Sequence, residues 1–358
     1  MKHRLTAVKA TMEAQNIDVL LISDKINRRY LSGFTGSNGL LAVGLTQDYL
    51  LIDGRYTEQA QQQTKDIRII TTTEQNNQWQ HLAKIVGAGT LGFEGGSISY
   101  QMFSALRKLA DDQGGHLIET QNLIEELRMF KSDTEITALR KAAGLADQTF
   151  SYIISIIKPG MSELDAANEI DYYSKRIGSE GPAFETIVAS GIRTALPHAH
   201  ASKKIIQENE LIMIDFGCIS GGYYSDMTRT FALGKVDDGI KRTYDQVLQA
   251  QRQAIEAVKT GRTLAEIDAA ARSALSTGGL AEYFSHGLGH GIGLSCHEYP
   301  AVNQLNQLTI QPRMSFTVEP GVYIPSSFGI RIEDDIFVTA DGEVELLTKT
   351  NKEWMTIE

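Results

Sequence analysis

Leu211-Ile-Met-Ile-Asp215-Phe-Gly217 is followed by Gly221-Gly222 and then by Tyr224-Ser-Asp226-Met-Thr-Arg-Thr230. The β-branched and aromatic residues on either side suit strands, and the paired glycines suit the tight turn between them. The reading is a hairpin: strand Leu211–Phe216, a turn at Gly221-Gly222, then strand Tyr223–Phe231. Antiparallel pairing brings Asp215 and Asp226 close together across the ladder. Two like charges at that range repel unless a cation lies between them. A purely structural reading stays open at this point, in which Asp215 ends a strand and Asp226 pairs with Arg229.

Further along, His286-Gly-Leu-Gly-His290-Gly-Ile-Gly293 carries two histidines, and His297 follows shortly after. The spacing of His286 and His290 is that of a helical zinc motif. However, glutamate is missing from the second position, and four glycines disfavour a helix. In an extended segment residues 286 and 290 fall on one face, and the glycines let backbone or substrate approach closely. Glu319 ends Ser315-Phe-Thr-Val and is stopped by Pro320-Gly321; Glu333 lies in Ile330-Arg-Ile-Glu-Asp-Asp-Ile-Phe-Val338. On that last strand Arg331 and Glu333 share a face, and a salt bridge between them is the economical structural explanation. It does not explain why four acids and a histidine all sit in or beside apolar, strand-like runs, where an unpaired charge is costly to bury.

The bulk properties narrow the classes. At 358 residues the chain exceeds the usual size of a single core, so two domains are expected. An apolar fraction of 42% and a charged fraction of 22% are those of a globular protein. A net charge of −10 argues against nucleic acid or an anionic membrane as main partner. The longest apolar stretch, Tyr152–Ile157, is far too short to span a bilayer, and Met1 to Asn16 lacks the apolar core of a signal peptide. Two cysteines, Cys218 and Cys296, make no disulfide framework and fit a reducing, cytoplasmic setting. Cys218 lies close to Asp215 but reads as a small buried filler rather than a thiolate ligand.

The first third alternates strands and helices. Strands are expected at Ile17–Ser23, Leu40–Leu45, Tyr49–Asp53, Ile67–Thr72, Thr90–Glu94 and His116–Thr120, and helices at Arg55–Lys65, Asn77–Val86 and Tyr100–Asp111. That alternation implies an α/β domain. Near residue 130 the pattern changes. Ser132-Asp-Thr-Glu135 is a capping box opening a helix to about Ile157, and Ser162-Glu-Leu-Asp165 opens another to about Ile177. Strands then come in blocks at Thr186–Ser190, Leu211–Ile219, Tyr223–Leu233, Ser315–Ile324 and Gly329–Thr339. Helices at Asp237–Lys259 and Leu264–Ser276 interrupt them, which implies an α+β domain. The expected division is residues 1–130 and 131–358.

These residues resemble the metallopeptidases of pita-bread fold, which include methionine aminopeptidase, aminopeptidase P and prolidase. The order Asp215, Asp226, His290, Glu319, Glu333 matches that family's five ligands without a gap. Phe184-Glu-Thr-Ile-Val-Ala-Ser-Gly with Leu196-Pro-His198-Ala-His200 is similar to the segment bearing the family's substrate-side histidine, which falls on His198. Tyr30-Leu-Ser-Gly-Phe-Thr-Gly-Ser37 and Asp53-Gly-Arg-Tyr56 resemble the creatinase-type N-terminal domain, which methionine aminopeptidases typically lack. The resemblance covers essentially the whole chain. It implies a creatinase-like α/β domain followed by an α+β pita-bread catalytic domain.

The resemblance also implies a chemistry. Two divalent ions, Mn²⁺ foremost with Co²⁺ or Zn²⁺ as alternatives, suit four carboxylates and one imidazole. Asp226 and Glu333 would bridge both ions, Asp215 would complete one, and His290 with Glu319 the other. Glu319 is the expected proton shuttle, and His198 and His297 are expected to hydrogen-bond the carbonyl or oxyanion. His286 is expected to line the pocket. Arg331 is expected either to orient Glu333 from behind or to meet a substrate carboxylate. Substrates would be peptides with proline in the second position, and the assembly a homodimer. The Phe34–Gly39 and Asp53–Tyr56 stretches look more like bacterial aminopeptidase P, and Gly287 stands where prolidases of this size often carry Arg. An Xaa-Pro aminopeptidase is therefore expected ahead of an Xaa-Pro dipeptidase. A non-catalytic binding protein of the same fold is the remote reading, because such branches have lost ligands.

Overall fold

A computed structural model describes residues 2–358, which form two compact units, the first ending at Arg128 and the second spanning Met129–Glu358. In the first unit the strands are β1 (Val19–Ile22), β2 (Leu40–Gly44), β3 (Tyr49–Asp53), β4 (Arg68–Thr72), β5 (Thr90–Glu94) and β6 (His116–Thr120). Its helices are α1 (Lys2–Ala14), α2 (Lys25–Ser32), α3 (Thr57–Gln63), α4 (Gln78–Val86), α5 (Tyr100–Gln113) and α6 (Leu123–Arg128). The sheet runs β4-β3-β2-β1-β5-β6. Strand β2 is antiparallel to both its neighbours, and the remaining pairs are parallel. Val19, Leu21, Leu91 and Phe93 of the sheet pack against Leu82, Leu106 and Leu109 of α4 and α5.

Three helices of this unit, α1, α2 and α6, were not anticipated. Helix α2 shows why. It buries Asn27, Arg28 and Ser32 beside Tyr30 and Leu31, so its inner face is largely polar and hydrophobic spacing does not report it. The polar atoms are satisfied instead: Asn27 Nδ2 donates to Glu94 Oε1 (2.7 Å), and Asn27 Oδ1 accepts from Arg128 Nη1 (2.8 Å). Asp24 caps the helix by accepting from the amides of Ile26 and Asn27, each at 2.8 Å.

The second unit begins with α7 (Asp133–Ile156) and α8 (Glu163–Arg176). The expected capping box is present, with Ser132 N donating to Glu135 Oε2 (2.9 Å), and the expected helix start at Ser162 forms a second, with Ser162 N donating to Asp165 Oδ2 (2.9 Å). Strands β7 (Ile187–Ser190), β8 (Glu210–Phe216), β9 (Ile219–Ser220), β10 (Tyr223–Tyr224) and β11 (Met227–Leu233) follow, then helices α9 (Asp238–Ala257) and α10 (Leu264–Thr277). The remaining strands are β12 (Gly289–Gly291), β13 (Glu298–Val302), β14 (Ser315–Val318), β15 (Gly321–Ile324), β16 (Phe328–Arg331), β17 (Asp334–Val338), β18 (Val344–Leu346) and β19 (Thr356–Ile357). One sheet is ordered β19-β11-β8-β7 and a second β13-β12-β14-β17-β18.

Each sheet is covered on one face by a helix pair. Ile212, Ile214 and Phe216 of β8 pack with Phe150 and Ile153 of α7 and with Ile170 of α8. Phe316 and Val318 of β14, with Ile336 and Val338 of β17, pack with Val247 of α9 and with Ile267 and Leu275 of α10. Because side chains alternate along a strand, Asp215 and Asp335 project away from these helices. The same alternation puts Thr317 on the face opposite Phe316 and Val318. The polar set thus gathers on the faces that the helices leave bare.

Four strands expected to be continuous are broken, and each break bears on the site; Tyr223–Leu233 divides at Ser225-Asp226, between β10 and β11. β8 stops at Phe216 because Gly217 passes so close to Ser225 that a Cβ there would lie 1.8 Å from its carbonyl oxygen. The expected Ser315–Ile324 strand divides at Glu319-Pro320, since proline cannot donate to the ladder. The expected Gly329–Thr339 strand divides at Ile332-Glu333, where the chain leaves the β15–β16 hairpin for β17. Glu319 and Glu333 are the residues at those breaks.

Candidate metal centre

The turn at Gly221 and Gly222, with φ of 59° and 74°, closes the β9–β10 hairpin. Beyond it β8 and β11 pair antiparallel, with Asp215 opposite Thr228 and Phe216 opposite Met227. Asp226, one residue before β11, therefore reaches the same end of the ladder as Asp215. The structural alternative, pairing of Asp226 with Arg229, does not occur: Arg229 Nη2 binds Asp334 Oδ1 at 2.7 Å, on the far side of the strand from Glu333.

His290 in β12 enters from the second sheet. Its Nδ1 lies 3.1 Å from the Gly291 carbonyl, which assigns the proton to Nδ1 and leaves Nε2 as the open lone pair. That Nε2 faces Asp226 Oδ2 at 3.6 Å and Glu319 Oε1 at 3.4 Å. One donor atom each from Asp226, His290 and Glu333 lies within 4.8 Å of the others. All nine residues singled out from the sequence (His198, Asp215, Asp226, His286, His290, His297, Glu319, Arg331 and Glu333) line one cleft of about 510 Å³.

The electrostatics of this cleft are those of a site built for cations. Asp226 is 4% exposed and Glu333 1%. Burial, reinforced by mutual repulsion with Asp215 and Glu319, raises both of their pKa values well above the ordinary carboxylate range. Burial likewise pushes Glu319 up to about 8, with Asp215 adding to the rise and Arg331 opposing it. Burial, helped by the neighbouring His297, lowers His290 to about 4, so its imidazole is neutral and able to ligate. Asp215 Oδ1 is buried with no hydrogen-bond partner. An orphaned carboxylate oxygen beside three carboxyls that repel one another and a neutral imidazole is a donor set that two divalent ions fit.

The direct salt bridge of Arg331 with Glu333, the economical structural explanation, does not form. The Arg331 guanidinium meets Asp215 Oδ2 at 2.5 Å rather than Glu333. Its other donors go to Thr228 Oγ1 (2.9 Å), Tyr323 OH (2.6 Å) and the Pro197 carbonyl (3.1 Å). The link to Glu333 is indirect: Thr228 Oγ1, having accepted from Arg331, donates to Glu333 Oε2 at 2.6 Å. His286 is committed to the protein on both ring nitrogens, with Nδ1 at 2.8 Å from the Gly287 carbonyl and Nε2 at 3.0 Å from Tyr323 OH. His297 lies exposed at the rim, its ring 4.0 Å from that of His290.

Several residues of the site were not singled out from the sequence. Asp335 is buried, and its Oδ2 accepts the Asp226 amide at 2.9 Å. It shares the strand face of Glu333, and that alternation was a usable signal. Tyr323 likewise shares a face with Gly321, two residues after Glu319. Cys296 Sγ donates to Asp226 Oδ2 at 3.1 Å, and nothing in its neighbourhood marked it out except His297. Cys218 is the buried filler it was read as; burial raises its thiol to about 11.

The geometry has a counterpart in known families. Residues 137–340 match the model of Metallopeptidase family M24, and residues 4–130 match the Creatinase/Prolidase N-terminal domain. The chain belongs to metallopeptidase family M24. It is a pita-bread metallo-exopeptidase of a dinuclear, divalent-metal family. It is 36% identical to a protein of Pyrococcus horikoshii named Xaa-Pro dipeptidase, over 99% of each chain. The solved Xaa-Pro dipeptidase from Bacillus anthracis superposes with a TM-score of 0.95 at 38% identity, covering 99% of each chain. The X-Pro aminopeptidase from Thermotoga maritima superposes with a TM-score of 0.88 at 34% identity, covering 96% of this chain and all of that one. Among the described residues no helix is long and apolar enough to cross a membrane.

Proposed function

We propose that this M24 enzyme is an Xaa-Pro dipeptidase, cleaving the bond before the proline of Xaa-Pro dipeptides. The observation that carries the reading is end-to-end likeness, at 36% and 38% identity, to two proteins bearing that name. It replaces the aminopeptidase reading favoured on local stretches such as Phe34–Gly39, because likeness over 99% of both chains outweighs short motifs. The Thermotoga maritima likeness keeps the aminopeptidase as the second reading.

Asp215, Asp226, His290, Glu319 and Glu333 would hold two divalent ions, with Mn²⁺ the preferred ion and Asp226 and Glu333 shared. When bound, the ions supply Lewis acidity towards the peptide carbonyl and lower the pKa of water. The protein's own groups do the rest. Glu319 takes up the proton released by the attacking water and passes it to the departing proline nitrogen. His198 and His297 donate N–H to the carbonyl oxygen as it gains negative charge. Arg331 and Tyr323 fix Asp215 and the His286 ring, so that the cleft keeps its shape through turnover. Homodimeric assembly and a cytoplasmic setting complete the reading.

The test is a Mn²⁺-supplemented assay comparing Xaa-Pro with Xaa-Pro-Yaa. The dipeptidase should prefer the dipeptide by at least about tenfold in kcat/KM, since an extended chain leaves no free proline carboxylate to bind. Cleavage of the tripeptide alone would transfer the assignment to the aminopeptidase, and cleavage of neither would remove the Xaa-Pro class altogether.

A further inference from the structure

The segment from Ser190 to Ser202 carries His198 along the cleft wall, yet it has little core of its own: Ile192 and Leu196 are 57% and 51% exposed. Arg331, Lys204 and Gly329 each bond to it once, at Pro197, Ser190 and Thr194, but one side chain outside it gathers several of its groups at once. Glu163, the first residue of α8, is 0% exposed. Its Oε1 accepts from Ser190 N at 2.8 Å and Ser190 Oγ at 2.9 Å. Its Oε2 accepts from Ser202 N at 3.2 Å and Ser202 Oγ at 2.7 Å. Arg193 Nε lies 3.2 Å from one oxygen and 2.9 Å from the other. Both ends of the segment and a residue within it therefore converge on a single buried carboxylate.

An acid in the first turn of a helix is stabilised by the helix dipole alone and needs no such partners. Total burial, by contrast, is expensive unless hydrogen bonds and a countercharge meet the carboxylate. Here every one of the partners described comes from the segment that bears His198. At the far side Arg331 Nη1 donates to the carbonyl of Pro197, the residue before His198, at 3.1 Å. The same arginine holds Asp215. The segment is thus clamped at its base by Glu163 and tied near His198 to the arginine that sets the metal ligands.

We infer that Glu163 is a positioning residue for His198: it fixes the Ser190–Ser202 segment so that the imidazole stands at the reacting carbonyl. The inference rests on the substrate-side role of His198 proposed above. Glu163 touches neither metal ligand nor substrate, and it acts by geometry. Displacing a catalytic group by about 1 Å is enough to cost roughly 100-fold in rate.

The decisive variant is Glu163→Gln, which keeps the volume but turns one acceptor into a donor facing Ser202 or Arg193. Its kcat/KM should fall by roughly 10- to 100-fold with metal content unchanged. In a His198→Ala background the same substitution should cost less than about twofold, because residues acting through one another are not additive. Two readings do not depend on turnover. Amide exchange should quicken in residues 191–201 but not in 211–216, and the His198 ring signal, identified by its loss in His198→Ala, should shift. Equal losses in both backgrounds, or unchanged exchange and ring signal, overturn the inference. If the wild-type protein cleaves no Xaa-Pro peptide, the dipeptidase reading fails, while exchange and ring signal still decide this one. Should Glu163→Gln not fold, Ser202→Ala removes one donor and should give the same signature at smaller amplitude.

Discussion

Glu333 and Asp334 are adjacent, each 1% exposed, and opposite in every electrostatic respect. Burial would raise the pKa of Asp334, but Arg229 at 2.7 Å and Lys352 at 2.5 Å outweigh it and hold the acid below its usual value. Thr348 Oγ1 and Gln251 Nε2 complete its hydrogen bonds. Glu333 faces Asp226, Glu319 and Asp215 instead, and its pKa rises. One buried charge is compensated by the chain itself; its neighbour is left for something the chain does not contain. Burial alone therefore does not mark a functional acid. What separates this pair is the internal countercharge, which Asp334 has at hydrogen-bonding distance and Glu333 lacks.

The largest effect should follow from Asp226→Asn or Glu333→Gln. Turnover of Xaa-Pro substrate should drop by at least about 1,000-fold, as loss of several kcal/mol of metal-derived stabilisation requires, and bound metal should fall with it in elemental analysis. Metal-free protein should melt no lower than wild type, because a mutual repulsion has been removed. A variant that keeps both metal and activity would erase the distinction between the two acids.

Asp334→Asn should do the reverse. It leaves Arg229 and Lys352 buried around a neutral amide and should destabilise the catalytic unit by about 3–5 kcal/mol in denaturant titration. The molecules that remain folded should bind metal normally. Loss of metal without loss of stability would show that Asp334 belongs to the site after all.

A smaller effect is expected from pH. With Glu319 pushed up to about 8 from 4.5, folded metal-free protein holds a proton that the unfolded chain has released. Stability therefore falls as pH rises through that window. His286 and His290, lowered from 6.5 to about 4, act oppositely: they favour the folded state as pH rises from about 4 to 6.5 and add nothing further above that. Between pH 6.5 and 8 the acid governs, and the metal-free Tm should drop by about 5 °C or more. Metal-loaded protein should show no such drop, since cations remove the reason for the raised pKa. A flat metal-free profile would mean that these carboxylates are not held in mutual repulsion.

Much of this was legible in the chain. Strand alternation put Arg331 and Glu333 on one face, and the Gly221-Gly222 turn set the antiparallel register that brings Asp226 alongside Asp215. Local chemistry also announced the capping box at Ser132 and the helix start at Ser162. Helix α2 was missed because its buried face is polar, and the breaks at Gly217 and Glu333 because they depend on which strand lies opposite. Strand spacing allowed a direct Arg331–Glu333 salt bridge; β8 brings Asp215 nearer.

The sequence by itself determined which acids and histidines line the cleft, their order along the chain and the face shared by Arg331 and Glu333, because those follow from side-chain chemistry and a period of two. Only the tertiary structure decided which charges are answered from within. Arg229 could serve Asp226 or Asp334, Arg331 could serve Glu333 or Asp215, and Glu163 could be an ordinary helix-start acid or the clamp of the His198 segment. Such choices depend on distances between residues far apart in the chain, and hydrogen bonds and ion pairs select among those by geometry that no local pattern encodes.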